Sequence, residues 1–265
     1  MPSIRTWFPS VALAIISFAI CGPSRAAPCG GEFNTWLAEF KREAATQDIS
    51  QRAIASALDS VVDDPVTLTR DRSQRVFTQT FEQFSGRMIS PDRLRKGPAL
   101  LAQHAATFAR IDRQFGVPPP VLTAIWGLET DFGVNQGKFS IIRSVATLAH
   151  DCRRPDKFRG ELFDVLRIVD RGDMSPADMH GAWAGEIGQT QFLPSSYLKY
   201  AVGRDLIHNP TNALASTANY LKGYGWQRGQ PWGEGTANFQ VLLQWNSSQV
   251  YTKTVAYFAQ QLDRE

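Results

Sequence analysis

Apolar residues recur every three to four positions along most of this chain, the period of helices that bury one face. Phe33, Trp36, Leu37, Phe40 and Ala44 share one such face. Ser50 is placed to cap a second helix whose inward positions are Ile54, Leu58 and Val61. Phe77, Phe81 and Phe84 mark a third. Leu101, His104, Phe108, Ile111 and Phe115 predict one amphipathic helix ending near Gly116. Pro118-Pro119-Pro120 then breaks the chain and opens the next helix. Ile141, Val145 and Leu148 form a further face, and Phe158, Leu162, Leu166 and Val169 another, stopped near Gly172. Ser175-Pro176 reads as a cap followed by a first-turn proline.

The period fails between Gly181 and Phe192 (GAWAGEIGQTQF), where glycines and polar residues predict a loop or short hairpin. Helical spacing resumes at 194–202 and 211–221. Gly223 to Gly235 reads as loop, and Tyr251, Val255, Phe258 and Leu262 as a last helix. The pattern is that of an α+β protein, mainly α, with one irregular stretch in its middle.

Composition changes the picture at the N-terminus. The apolar run VALAIISFAI (11–20) is too short to span a bilayer, and Ser24 and Ala26 are small residues placed for a cut before Ala27. We expect residues 1–26 to be a signal peptide, with an uncleaved anchor as the alternative. Cys21 lacks the small preceding residue of a lipoprotein signal. Removing 1–26 takes Arg5 and Arg25 and no acid, so 26 basic residues face 25 acidic ones. That balance argues against a nucleic-acid protein. Residues 27–265 suffice for one large domain or two small ones. Cys29 and Cys152 remain, and in an exported chain they are expected to pair; two free thiols are the alternative.

Several chemistries are absent from the motifs. His104, His150, His180 and His208 are scattered, with no HExxH, and neither a GxSxG elbow nor a phosphate-binding loop occurs. Carboxylates are left. Glu129, in AIWGLETDFG, falls about three turns after the prolines at an apolar helix end. Carbonyl dipoles and the neighbours Trp126 and Phe132 would both raise its pKa, which suits a general acid. By position alone, a surface Glu on a polar stripe explains it at least as well. Asp131 would point elsewhere on a helix, and Glu186 reads as a solvated loop charge. A lone acid suffices for glycoside cleavage where the substrate's own acetamido group supplies the second function. Sugar binding calls for aromatic faces and amides, and the chain offers Trp183, Gln189, Gln191, Tyr220, Trp245, Asn246 and Tyr251. Core packing is the alternative for each aromatic.

In order, GVPPPVLTAIWGLETDFG, ATLAHDCRR, GAWAGEIGQTQFLPSSYLKYAV, ASTANYLKGYGW and QWNSSQVY resemble the membrane-bound lytic transglycosylase B family over roughly Cys29 to Leu262. The resemblance implies a lysozyme-like (goose-type) fold and cleavage of the bond between N-acetylmuramic acid and N-acetylglucosamine in peptidoglycan. It implies Glu129 as the single acid, which protonates the glycosidic oxygen and then takes the proton of the 6-hydroxyl that attacks C1. The product would be a 1,6-anhydromuramoyl end. Gln191, Tyr220, Asn246 and Tyr251 match groove residues that contact substrate; Trp183 and Gln189 are candidates beside them. A hydrolytic muramidase of the same fold and a non-catalytic murein-binding protein are the alternatives.

Two departures stand out. Ala182 replaces a Ser found in some relatives, and the Asp/Gly-rich calcium loop many carry after YAV is replaced by Gly203-Arg204-Asp205, with Asn212 for a usual Asp. A calcium loop needs several oxygen ligands, so no metal or cofactor is expected. The remaining expectations are a helical N-terminal part (27–100), a lysozyme-like core (101–265), a periplasmic monomer, and peptidoglycan glycan strands as the partner.

Overall fold

The computed structural model describes residues 29–73 and 79–264. The expected signal peptide and Phe77 lie outside the described residues. In chain order the elements are α1 (Phe33–Ala44), α2 (Gln51–Leu58), α3 (Pro65–Arg72), α4 (Phe81–Met88), α5 (Pro91–Gln103), α6 (Ala105–Phe115), α7 (Pro119–Thr130), β1 (Phe139–Ser140), α8 (Ile141–His150), α9 (Pro155–Asp170), β2 (His180–Gly181), α10 (Pro194–Tyr200), α11 (Pro210–Gly223), α12 (Ala237–Trp245) and α13 (Gln249–Leu262).

Helix α7 is the axis of the fold. Its sequence is apolar all round, and every residue from Pro120 to Leu128 is buried. It packs against α5, α6, α11 and α13. Gly127 permits the closest of these approaches: a Cβ there would lie 2.8 Å from the Phe132 ring and 3.2 Å from that of Phe258. At the other side of the molecule α1 and α2 lie on α8 and α9, where Phe40 stacks on Phe163 at 4.7 Å. Cys29, ahead of α1, and Cys152, between α8 and α9, form a disulfide.

Three local readings of the pattern need correction. Leu101 and His104 do not share a helix with Phe108. The chain closes α5 at His104, whose N–H donates to Leu100 O, and restarts as α6. His104 fits the apolar spacing only because it is the corner itself. Ser175-Pro176 opens one turn, not a helix. Ser175 caps Asp178, but the chain must then extend so that His180 and Gly181 can pair with Ser140 and Phe139. Finally, α3 and α12 were not anticipated, although Asp64 caps the first through Val66 N–H at 3.1 Å and Thr236 the second through Phe239 N–H at 3.2 Å.

The 181–192 stretch is a tight antiparallel meander: β2 pairs with β1, and Gly181, Ile187 and Phe192 are joined by successive bridges. The 203–209 loop that follows α10 is held by its own polar groups. Asp205 Oδ1 accepts from the N–H groups of Ile207 and His208, Asn209 caps α11, and the Arg204 guanidinium lies 3.2 Å from Asp173.

Candidate active site

Glu129 is the last but one residue of α7, and the chain stops abruptly after it. Asp131, Phe132 and Gly133 follow in three consecutive left-handed conformations, φ 52°, 62° and 87°. For a bulky residue such as Phe132 this is strained backbone, of order 1–3 kcal/mol. The stop is held by side chains. Asp131 Oδ1 accepts from Arg93 Nε at 2.6 Å, Asp131 Oδ2 from Asn135 at 2.7 Å, and Thr130 Oγ1 from Gly133 N–H at 2.8 Å. Asp131 is therefore turned away from Glu129, as the helical spacing implies.

Two residues from the far end of the chain meet the Glu129 carboxyl. Trp245 Nε1 donates to Glu129 Oε1 at 3.0 Å, and the Tyr251 hydroxyl donates to the same oxygen at 2.5 Å. Trp245 ends α12 and Tyr251 opens α13, so the short turn between them brings both donors to one atom. With Oε1 saturated, an acid proton belongs on Oε2. Burial pushes the carboxyl up from 4.5 to about 7; the Tyr251 and Trp245 donors pull against this, and the charge of Glu186 adds to it. Trp126 and Phe132, expected to desolvate Glu129, pack instead edge-on against each other, with the Trp126 indole bonded to Gln189.

Glu129 opens onto a cleft of about 510 Å³. Of the sugar-binding candidates singled out in the sequence, Trp183, Gln191, Tyr220, Trp245 and Asn246 line it. Gln191 sits at φ 57°, and its Nε2 donates to the carbonyls of Gly188 and Gln136, which leaves Oε1 as acceptor. Asn246 Oδ1 accepts from Ser248 N–H at 2.9 Å, which leaves Nδ2 as donor. The Tyr220 hydroxyl donates to Gln244 O at 2.6 Å, so this residue offers its ring, packed edge-on against Trp245 and Phe192.

Two expected groove residues do other work. Tyr251 is buried and its hydroxyl serves Glu129. Gln189 is buried away from the cleft: it accepts from Trp126 Nε1 at 3.0 Å and donates to Ile207 O at 3.0 Å. Its amide ties the 181–192 meander to α7, which explains a polar residue there without a ligand. Glu186 corrects the sequence reading in the opposite direction. It lines the cleft, together with Arg154, Lys157 and Phe158 of the first turn of α9 and Ser196 of α10. Only its setting among Gly185, Gly188 and the two glutamines hinted at this; nothing in the spacing of Arg154 and Lys157 did.

A family model for the transglycosylase SLT domain matches residues 32–237. Membrane-bound lytic murein transglycosylase B of Escherichia coli (strain K12) is 32% identical over 199 residues, which are 72% of this chain and 54% of that protein. The chain thus spans about half the length of that curated relative. Two crystal structures of Pseudomonas aeruginosa SltB3, with NAG-NAM-pentapeptide and with NAG-anhNAM-pentapeptide, match at 31% identity with TM-scores of 0.83 and 0.82. These alignments cover 89% and 88% of this chain and 81% and 80% of theirs. The mainly helical fold is lysozyme-like, and the chain belongs to the transglycosylase SLT domain family.

Proposed function

We propose that the chain is a lytic murein transglycosylase that cleaves the bond from N-acetylmuramic acid to N-acetylglucosamine and leaves a 1,6-anhydromuramoyl end. The observation that carries this is the Glu129 carboxyl: it lies in an open cleft, has both donors on Oε1, and has a pKa of about 7. At neutral pH such a group is protonated often enough to give a proton and basic enough to take one back. Oε2 protonates the glycosidic oxygen as the C1–O4 bond breaks. The neighbouring 2-acetamido oxygen steadies the oxocarbenium-like C1. The Glu129 carboxylate then removes the proton of the 6-hydroxyl as its oxygen bonds to C1, and no water is consumed. Gln191 Oε1 and Asn246 Nδ2 are an acceptor and a donor for sugar amides and hydroxyls; Trp183 and Tyr220 supply ring surface. That SltB3, a relative at 31% identity, has been crystallised with NAG-anhNAM-pentapeptide supports the same product class here. The signal-like N-terminus and the disulfide support a periplasmic setting.

Digestion of peptidoglycan sacculi, with products read by mass spectrometry, tests this reading. Anhydro ends are expected; reducing muramoyl ends in their place would assign the chain as a hydrolytic muramidase. Tyr251→Phe gives a second check. It removes a hydrogen bond that steadies the carboxylate formed when Glu129 gives up its proton. A roughly 10–100-fold fall in kcat is expected, the worth of one hydrogen bond to a charged group. The same loss favours the neutral acid, so the basic limb of the pH–rate profile should move upward. A profile that moves downward would contradict the role given to Tyr251.

A further inference from the structure

Among the described residues, Glu129 and Glu186 are the two carboxylates that line the cleft. The turn that carries Glu186 is built with little freedom. Ala182 N–H donates to Glu186 O at 3.2 Å and Gly185 N–H to Ala182 O at 3.1 Å. Gly185 has φ 89°, and a Cβ on it would lie 2.2 Å from Val145 Cγ2, so glycine alone lets the turn close against α8. Within the turn the Glu186 side chain folds back and Oε2 accepts from Ala184 N–H at 3.2 Å. The carboxylate is thus fixed on the wall of the cleft that Glu129 also lines.

The charges around the two acids differ. Glu186 is faced from α9 by Lys157 and Arg154, the latter shared with buried Asp71. Glu129 is faced from α12 and α13 by the neutral donors Trp245 and Tyr251. Arg93 on α5, a cation that acts on Glu129, is bound to Asp131. Both carboxylates lose solvent on folding, and two negative charges in one cleft are costly together. Burial raises the Glu186 carboxyl too, while its own N–H, that of Ala184 and then the charges of Lys157 and Arg154 pull against this.

We propose that Glu186 is a positioning residue for the catalytic proton: its charge across the cleft holds Glu129 in the acid form at neutral pH and draws the proton back after transfer. The inference rests on the role assigned to Glu129 above. While Glu186 is ionised, an ionised Glu129 is disfavoured, so the acid form persists to higher pH. Once Glu129 has protonated the leaving oxygen, two like charges share the cleft. Capture of the 6-hydroxyl proton relieves that repulsion. A higher proton affinity makes Glu129 a slightly weaker acid, so the benefit appears at and above neutral pH rather than below it.

Glu186→Gln keeps the acceptor for Ala184 N–H and removes the charge. Carboxyl-carbon NMR of the full-length protein labelled with 13C-glutamate reads the effect without any substrate. The Glu129 midpoint is expected to fall by roughly 0.5–1 unit in this variant, and to stay within about 0.2 unit of wild type in Glu186→Asp, which keeps the charge. In wild type the Glu186 resonance should titrate before that of Glu129, a reading that needs no variant. The pH–rate profile on sacculi should follow: cleavage by Glu186→Gln falls roughly 3–10-fold at pH 8 and is unchanged or slightly faster at pH 5. An unmoved Glu129 midpoint, or Glu186 titrating second, overturns the proposal. If the midpoint moves while Glu129→Gln still cleaves at the wild-type rate, the coupling stands and the catalytic assignment of Glu129 is what fails.

Discussion

Glu129→Gln is expected to lower cleavage of sacculi by roughly 10²–10⁴-fold, the usual worth of a positioned proton donor or acceptor. The loss should sit at the upper end of that range, because one group serves two proton transfers. The substitution is close to isosteric, and its carbonyl oxygen can still accept from Trp245 and Tyr251. Substrate affinity should therefore change little, with the loss in kcat rather than KM. Stability should move the other way. The folded pKa of Glu129 is raised from 4.5 to about 7, so its favourable contribution is fully present below 4.5 and lost as pH rises through 7. The variant escapes this loss and should melt no lower than wild type at pH 8. A thermal melt at that pH thus separates a dead enzyme from an unfolded one. Cleavage within tenfold of wild type would remove Glu129 from the mechanism.

The sequence exposed Glu129 but not what holds it. An acid at an apolar helix end is visible locally, because three prolines open α7 and a glycine follows its end. Its two partners lie 116 and 122 positions away, and no periodicity reports a contact of that range. The faces of α1, α8 and α9 were legible for the same local reason: one stripe packs inward and the spacing records it. The corner at His104 was hidden because a capping residue can share the period of its neighbours. Gln189 and Gln191 illustrate the limit most clearly. They are two residues apart and alike in chemistry, and both were expected in the groove. The bridge between Ile187 and Phe192 turns Gln191 into a left-handed corner facing the cleft and sends Gln189 inward to Trp126. Backbone geometry, not residue type, separates the ligand candidate from the structural tie. Glu186 follows the same logic, since the meander places on the cleft wall a charge that composition alone assigns to solvent.

Removing the Cys29–Cys152 bridge is expected to cost the fold about 5 kcal/mol, because it closes a loop spanning 123 positions and so restricts the unfolded chain strongly. For a domain of this size that corresponds to a fall in Tm of roughly 10–20 °C. The bridge anchors the segment ahead of α1: Gly30 N–H donates to His150 O at 2.8 Å beside it, and α1 follows directly onto α8. Cys152 also precedes Arg153 and Arg154, which both clasp buried Asp71, so the turn into α9 has a second fastening that survives reduction. Glu129 and its two donors sit on α7, α12 and α13, none of which carries the cysteines. Cys29→Ser/Cys152→Ser should therefore keep most of its activity at low temperature and lose it early on heating. Thermal unfolding of the purified protein with and without reductant checks this. Reductant should lower the wild-type Tm towards that of the double variant and leave the variant unmoved. A wild-type Tm that holds while the two thiols become free would mean that packing of α1 and α2 on α8 and α9 carries that corner without the bridge.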